Sequence, residues 1–153
     1  MQPATAVPAH EGQAEFTASL PHWVQPAATV EKLQQVIVGS GIERRYTVLQ
    51  QPFGPAGSEA FYQYGQFPTT QRRMEEYRRE ALPLSLQAIA GLPAEEVAGV
   101  THLIITSCTG FYAPGLDIDL VRELGLSGRT KRTVIGFMGC YAAATGLRSE
   151  EPR

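Results

Sequence analysis

Two short apolar runs and the segment between them constrain this chain most. His102-Leu-Ile-Ile-Thr-Ser107 is rich in β-branched residues and too short for a core helix, so it reads as a buried strand. Cys108 to Gly115 reads as a turn. Leu116, Leu120, Val121 and Leu124 recur at helical spacing, which predicts a helix over Asp117 to Leu124. Gly125 to Lys131 turns back, and Arg132 to Met138 reads as a second buried strand. Strand, helix, strand is a βαβ unit, so the expectation is two parallel strands joined by a right-handed crossover. Gly139-Cys140 follows at once, and the Ala-rich stretch Tyr141 to Leu147 predicts a further helix.

The residues before this unit are less regular. Met1 to Pro26 is rich in Ala, Pro and Gln, with one short helix expected around Gln13 to Leu20. Val30, Leu33 and Ile37 predict a helix from Thr29 to Val38, capped by Thr29 and stopped by Gly39-Ser40-Gly41. Ile42 to Leu49 reads as extended. Gln51 to Pro68 holds too many prolines and glycines for a long element and carries Phe53, Phe61, Tyr62, Tyr64 and Phe67. Such a loop either covers its own core or closes over a ligand, and the first is the commoner use. Thr69 or Thr70 caps a long helix to about Ala90. The charges from Arg72 to Glu80 read as its solvated face, Leu82 to Ile89 as a buried half, and Pro83 as a kink or restart. There are no internal repeats and no low-complexity tract.

At 153 residues and a net charge of -2, the chain is long enough for a real core and has no dominant basic patch, which argues against nucleic acid as a partner. Its apolar runs are too short to span a membrane. Met1 to Ala14 lacks the pattern of a secretory leader. Two cysteines make no disulfide framework, and His10, His22 and His102 are far from both in sequence, so no zinc site is expected. A cytoplasmic location is the simplest expectation.

Cys140 stands where a strand is predicted to turn into a helix. Gly139 permits a sharp turn, and a thiol at a helix N-terminus is drawn toward thiolate by the helix dipole. Ala142, Ala143, Ala144 and Gly146 let another backbone approach closely. This pattern fits a nucleophile elbow, yet spacing alone leaves a catalytic cysteine and a small buried core cysteine equally open.

Gly136-Phe-Met-Gly-Cys-Tyr-Ala-Ala-Ala144 resembles the active-site segment of type III polyketide synthases, the chalcone and stilbene synthase family. Thr101 to Asp117, Asp119-Leu-Val-Arg-Glu-Leu-Gly-Leu126 and Gly41-Ile-Glu-Arg-Arg-Tyr46 resemble other segments of it, in the same order. The resemblance runs roughly from Ala4 to Arg148, and its wording is nearer to bacterial alkylpyrone or alkylresorcinol synthases than to plant chalcone synthases. It implies an α/β fold: the N-terminal half of a thiolase-like fold, in which each half is a five-stranded mixed sheet with helices on its faces, usually in a homodimer. It implies an acyltransferase in which Cys140 takes an acyl group, expected to be a fatty acyl starter, from coenzyme A, and malonyl-CoA is condensed onto it with loss of carbon dioxide. No bound cofactor and no metal are implied; acyl-CoA and malonyl-CoA are substrates.

Other positions carry over one by one. Cys108 and Thr109 match positions lining the starter pocket, although Cys108 reads equally as a small core residue. Lys32 matches one of three basic positions that hold coenzyme A phosphates; Gln35 and Gly39 fall at the other two, and Arg44 and Arg45 are candidates to compensate. Ala113 falls where plant enzymes carry a Met reaching across the dimer interface. Ala4 to Pro8 resembles the end of the family's first strand. The catalytic His and Asn belong to the second half of the fold, and His102 matches a structural strand start. The expectation is therefore one N-terminal domain over residues 1–153 with the C-terminal domain absent, Ser149 to Arg153 breaking the last helix, and weak or no activity alone. A ketoacyl synthase of the fatty-acid type is a related alternative. A non-catalytic remnant or partner-dependent subunit is an alternative of another class.

Overall fold

The computed structural model describes residues 3–149. The chain divides into two compact units, Val7–Thr69 and a second that joins Met1–Ala6 to Thr70–Arg153.

In the Val7–Thr69 unit, β1 (His10–Glu11) is followed by α1 (Gln13–Trp23) and α2 (Ala27–Gly39), and then β2 (Tyr46–Thr47) pairs antiparallel with β1. Helix α1 is longer than expected and runs through Pro21. A proline near the end removes only one late N–H, and the helix closes with the Val24 amide on the Leu20 carbonyl at 3.1 Å. Helix α2 begins two residues before Thr29. Pro26, in extended backbone, precedes it, and the Thr29 amide donates to the Pro26 carbonyl at 2.9 Å, so Thr29 lies inside the first turn and is not the cap. Gly41, at φ +66, ends the segment in a left-handed conformation that glycine adopts without penalty. Of the extended stretch Ile42 to Leu49, only β2 forms a ladder.

The aromatic loop contributes β3 (Phe53–Gly54) and β4 (Tyr62–Gln63), a short parallel pair. Its rings fold down on α1. Trp23 meets Tyr64 and Phe67 at 5.3 Å each and Phe53 at 6.3 Å, and His22 stacks on Tyr64 at 3.8 Å. Leu20 and Val30 are buried beside Ser19 in the same unit. The loop thus covers its own core, the commoner of the two uses. Gly54 is required there: a Cβ would stand 2.8 Å from the Ala60 Cβ.

In the other unit, α3 (Thr70–Ile89) is one helix that Pro83 does not divide. Its first half is the solvated face expected, with Arg79 paired to Glu76 and Glu80 and Gln71 bonded to Glu75. Its apolar half is only half-buried, against expectation, and no residue of the helix is enclosed. After α4 (Ala94–Ala98), which the sequence reading missed, come β5 (His102–Ser107), α5 (Leu116–Glu123), β6 (Lys131–Gly136) and α6 (Ala142–Ser149). Strands β5 and β6 are parallel over six residue pairs, from His102 opposite Lys131 to Ser107 opposite Gly136.

Residues paired across a ladder share a face of the sheet. Ile104, Thr106 and Ile135 face α6, where the Gly146 backbone lies so near that a Cβ would be 3.3 Å from Thr106 Cγ2. The alternate residues Leu103, Arg132, Ile105 and Val134 share the opposite face, and from it Arg132 pairs with Asp117 of α5. The small residues of α6 therefore serve its approach to β5. Neither strand is buried as expected: β5 is half-exposed, and Val134 on β6 is 57% exposed. A sheet of two strands has no central strand to enclose. The resemblance implied a five-stranded mixed sheet, whereas among the described residues the strands pair only two by two. Residues 3–8 form no strand. Helix α6 continues through Ser149, whose hydroxyl donates to the Thr145 carbonyl at 2.9 Å, so Ser149 does not break it; the rest of that charged end lies outside the described residues.

Candidate active site

The C-terminal ends of β5 and β6 lie side by side, and the loops leaving them carry the three candidate residues of this unit. Cys108 and Thr109 follow β5 directly, and Cys140 comes four residues after the end of β6. In open α/β sheets this end of parallel strands is where ligands bind.

The turn bearing Cys140 is built from unusual backbone. Gly139 sits at φ +74, as its place before the cysteine suggested, but Phe137 also has positive φ, at 59. A bulky side chain there is strained, and such strain concentrates at functional positions. The Ala142 amide donates to the Gly139 carbonyl at 3.1 Å, folding the turn into α6. Cys140 stands two residues before the helix begins. The two loops touch: the Phe137 amide donates to the Ser107 carbonyl at 3.3 Å, and the Phe111 and Phe137 rings meet edge to face at 5.3 Å. Cys108 and Cys140 are both free and exposed in this chain.

The loop after β5 is tied down along its length. Ser107 Oγ accepts the Gly110 amide at 3.1 Å, Met74 Sδ accepts the Phe111 amide at 3.4 Å, and the Tyr112 hydroxyl donates to Asp119 at 2.6 Å. Burial, then the Asp119 hydrogen bond and charge, push the Tyr112 phenol above its ordinary value of 10.0. On the α5 side of the sheet a cavity of about 190 Å³ opens between Tyr77, Ile105, Phe111, Tyr112 and Val134. Cys108, Thr109 and Cys140 do not line it. The sequence reading missed Phe137, Tyr77 and the Tyr112–Asp119 pair. Only Phe137 left a signal, by standing between Gly136 and Gly139 in the cysteine segment.

The remaining candidates lie elsewhere. Lys32 is exposed on α2 in the other unit, with Gln35 and Gly39 one and two turns on. His102 begins β5 and so stands at the far end of the strand from the cysteine loops, about 17 Å away for a six-residue strand. His10 bonds Glu15 within the other unit. Among the described residues no cluster of His, Cys, Asp and Glu could hold a metal ion, and no helix is long and apolar enough to cross a membrane.

The model of the chalcone and stilbene synthase N-terminal domain matches residues 10–151. An alpha-pyrone synthesis polyketide synthase-like protein, Pks18 of Mycobacterium tuberculosis, is 42% identical over 83 residues, covering 52% of this chain and 21% of its own length. Among solved structures, PKS-I from the brown alga Ectocarpus siliculosus superposes with a TM-score of 0.66 at 30% identity, covering 95% of this chain and 41% of that one. CsyB, solved with CoA-SH, shares the fold with a TM-score of 0.68 at 22% identity, over 95% of this chain and 38% of its own. The chain spans between about a fifth and a third of the length of the curated relatives it matches. The fold is thiolase-like, a mixture of helices and short sheets. With the family model matching nearly the whole chain and the βαβ unit delivering Cys140 into a strand-to-helix turn, this chain belongs to the chalcone and stilbene synthases, the type III polyketide synthases, through their N-terminal domain.

Proposed function

We propose that the chain carries the nucleophile of an acyl transfer in polyketide synthesis. Cys140 Sγ attacks the carbonyl carbon of an acyl-CoA, the coenzyme A thiolate leaves, and the acyl group rests on the cysteine as a thioester. Malonyl-CoA then loses carbon dioxide, its enolate carbon attacks the thioester carbonyl, and the cysteine thiolate leaves. A thiolate suits both steps, as a strong nucleophile and a fair leaving group. The observation that carries this reading is the turn Gly136–Cys140, with positive φ at Phe137 and Gly139, leading from a parallel strand into α6 and exposing the thiol.

Cys108 and Thr109 stand beside that turn and would contact the acyl group near its carbonyl. A fatty acyl starter is proposed from the likeness to Pks18, whose name gives alpha-pyrone synthesis. Lys32 would meet coenzyme A phosphates, with Arg44 and Arg45 in place of the basic residues absent at Gln35 and Gly39. The base and the groups that stabilise the enolate would come from the second half of the fold, because His102 is at the wrong end of β5. Val134 on β6, Phe137, Met138 and Tyr141 in the cysteine turn and Leu147 on α6 are all exposed, which supports a working form in which further protein covers this surface, including a homodimer.

Intact-protein mass spectrometry after incubation with a long-chain acyl-CoA tests the reading. The expected result is one acyl adduct on the wild-type chain and none on Cys140→Ala. An adduct that survives the substitution, or a folded wild-type chain that takes none even when supplied with the family's C-terminal half, would overturn it.

A further inference from the structure

We infer that Cys140 and Cys108 form a reversible, peroxide-driven disulfide that caps the nucleophile. These are the only two cysteines in the sequence, and both are free and exposed. The ladder fixes their neighbourhood. Ser107 is opposite Gly136, and the Phe137 amide still bonds the Ser107 carbonyl, so Cys108 follows the last rung on one strand as Phe137 does on the other. Adjacent strands are about 4.8 Å apart. From Phe137, which follows the rung on β6, Cys140 is three residues on, so its Cα lies within roughly 10 Å of that point, the reach of three extended residues, and the positive φ at Phe137 and Gly139 departs from that extended path. A disulfide needs Cα atoms about 4.4–6.8 Å apart, and the loop after β5 being tied at Gly110, Phe111 and Tyr112, the approach would come from the exposed Cys140 turn. The Phe111–Phe137 contact holds the two turns against each other meanwhile.

The chemistry balances with hydrogen peroxide as oxidant. The Cys140 thiolate attacks one peroxide oxygen, the O–O bond breaks, and water leaves, giving a sulfenic acid. Cys108 sulfur then attacks Cys140 sulfur and the hydroxyl leaves as a second water. Each sulfur gives up one electron, the peroxide takes both, and the two thiol protons end on the waters. A dithiol reductant reverses the bond by exchange. The formation of the bond is independent of the acyl-transfer reading; that it would switch acyl transfer off rests on that reading.

The test treats the full chain with a small excess of hydrogen peroxide and reads intact mass. The expected product is a monomer lighter by about 2 Da, restored by dithiothreitol. Cys108→Ser should instead gain about 16 Da or more at Cys140. The same treatment in denaturant should form the bond at least tenfold more slowly. A wild-type chain that only gains oxygen, a bond that forms only between chains, or equal rates in the folded and denatured chain would each overturn the inference. Because no acyl-CoA is present, none of these results bears on whether Cys140 accepts an acyl group.

Discussion

The Tyr112 hydroxyl donates to the Asp119 carboxylate at 2.6 Å, fastening the loop after β5 to the first turn of α5, while the Arg78 guanidinium lies 5.5 Å above the same ring. The folded chain holds this phenol protonated to higher pH than the unfolded chain does, so the contribution is fully present below pH 10 and is lost as pH rises toward the raised folded value. Tyr112→Phe should cost about 1 kcal/mol at neutral pH. Above pH 10 the wild-type chain should lose urea stability more steeply than the variant. Equal alkaline slopes for the two would show that the phenol is not coupled to folding.

Gly110 has no room for a side chain. A Cβ there would lie 2.2 Å from Tyr77 Cδ2, inside the ring that closes the loop against α3. Gly110→Ala should destabilise the unit by about 1–3 kcal/mol through overpacking, and Tyr77→Leu in the same chain should recover part of that loss. Thermal melts of the two single variants and the double variant measure this; strictly additive losses would contradict the clash.

Asp117 is 8% exposed and pairs with Arg132, which joins α5 to β6. Arg132→Met strands a buried carboxylate and should cost about 1–3 kcal/mol. Asp117→Asn combined with Arg132→Met should cost less than the sum of the single changes. Denaturant titration of the cycle decides it, and a coupling energy of zero would mean that the pair contributes no net stability.

The approach of α6 to β5 depends on Gly146. A valine there would push its branches into Thr106 and Ile104. Gly146→Val should lower the melting temperature and, by shifting the helix that follows the nucleophile turn, should slow alkylation of Cys140 by a maleimide relative to Cys108. An unchanged ratio of the two alkylation rates would separate the helix position from the reactivity of the turn.

The elements most readable in the sequence were those with local causes. The β5 run and the α5 spacing were legible because period and length fix them, and the stop after α2 because Gly41 has one physical use. Thr29 misled because Pro26, three residues upstream, already starts the helix, and proximity of a capping residue does not outweigh a better start. Burial was overread in β6 and α3: apolar composition states what a segment would bury, but enclosure depends on how many neighbours arrive. In the site, the glycine before Cys140 was visible and Phe137 was marked only by its place between Gly136 and Gly139, whereas the Tyr112–Asp119 tie arises from side-chain geometry that no spacing encodes.

The parallel ladder has a consequence for amide exchange. The Lys131 and Phe137 amides point at β5, to Thr101 and Ser107, and alternation along a strand places those of Thr133 and Ile135 with them. The amides of Arg132, Val134 and Gly136 then point outward, where no strand among the described residues meets them. In deuterium oxide, β6 should label every second position at once and keep the others, a comb-like record of which side of the strand is taken. If a neighbouring strand docks on β6, the fast teeth of that comb will be the ones to slow.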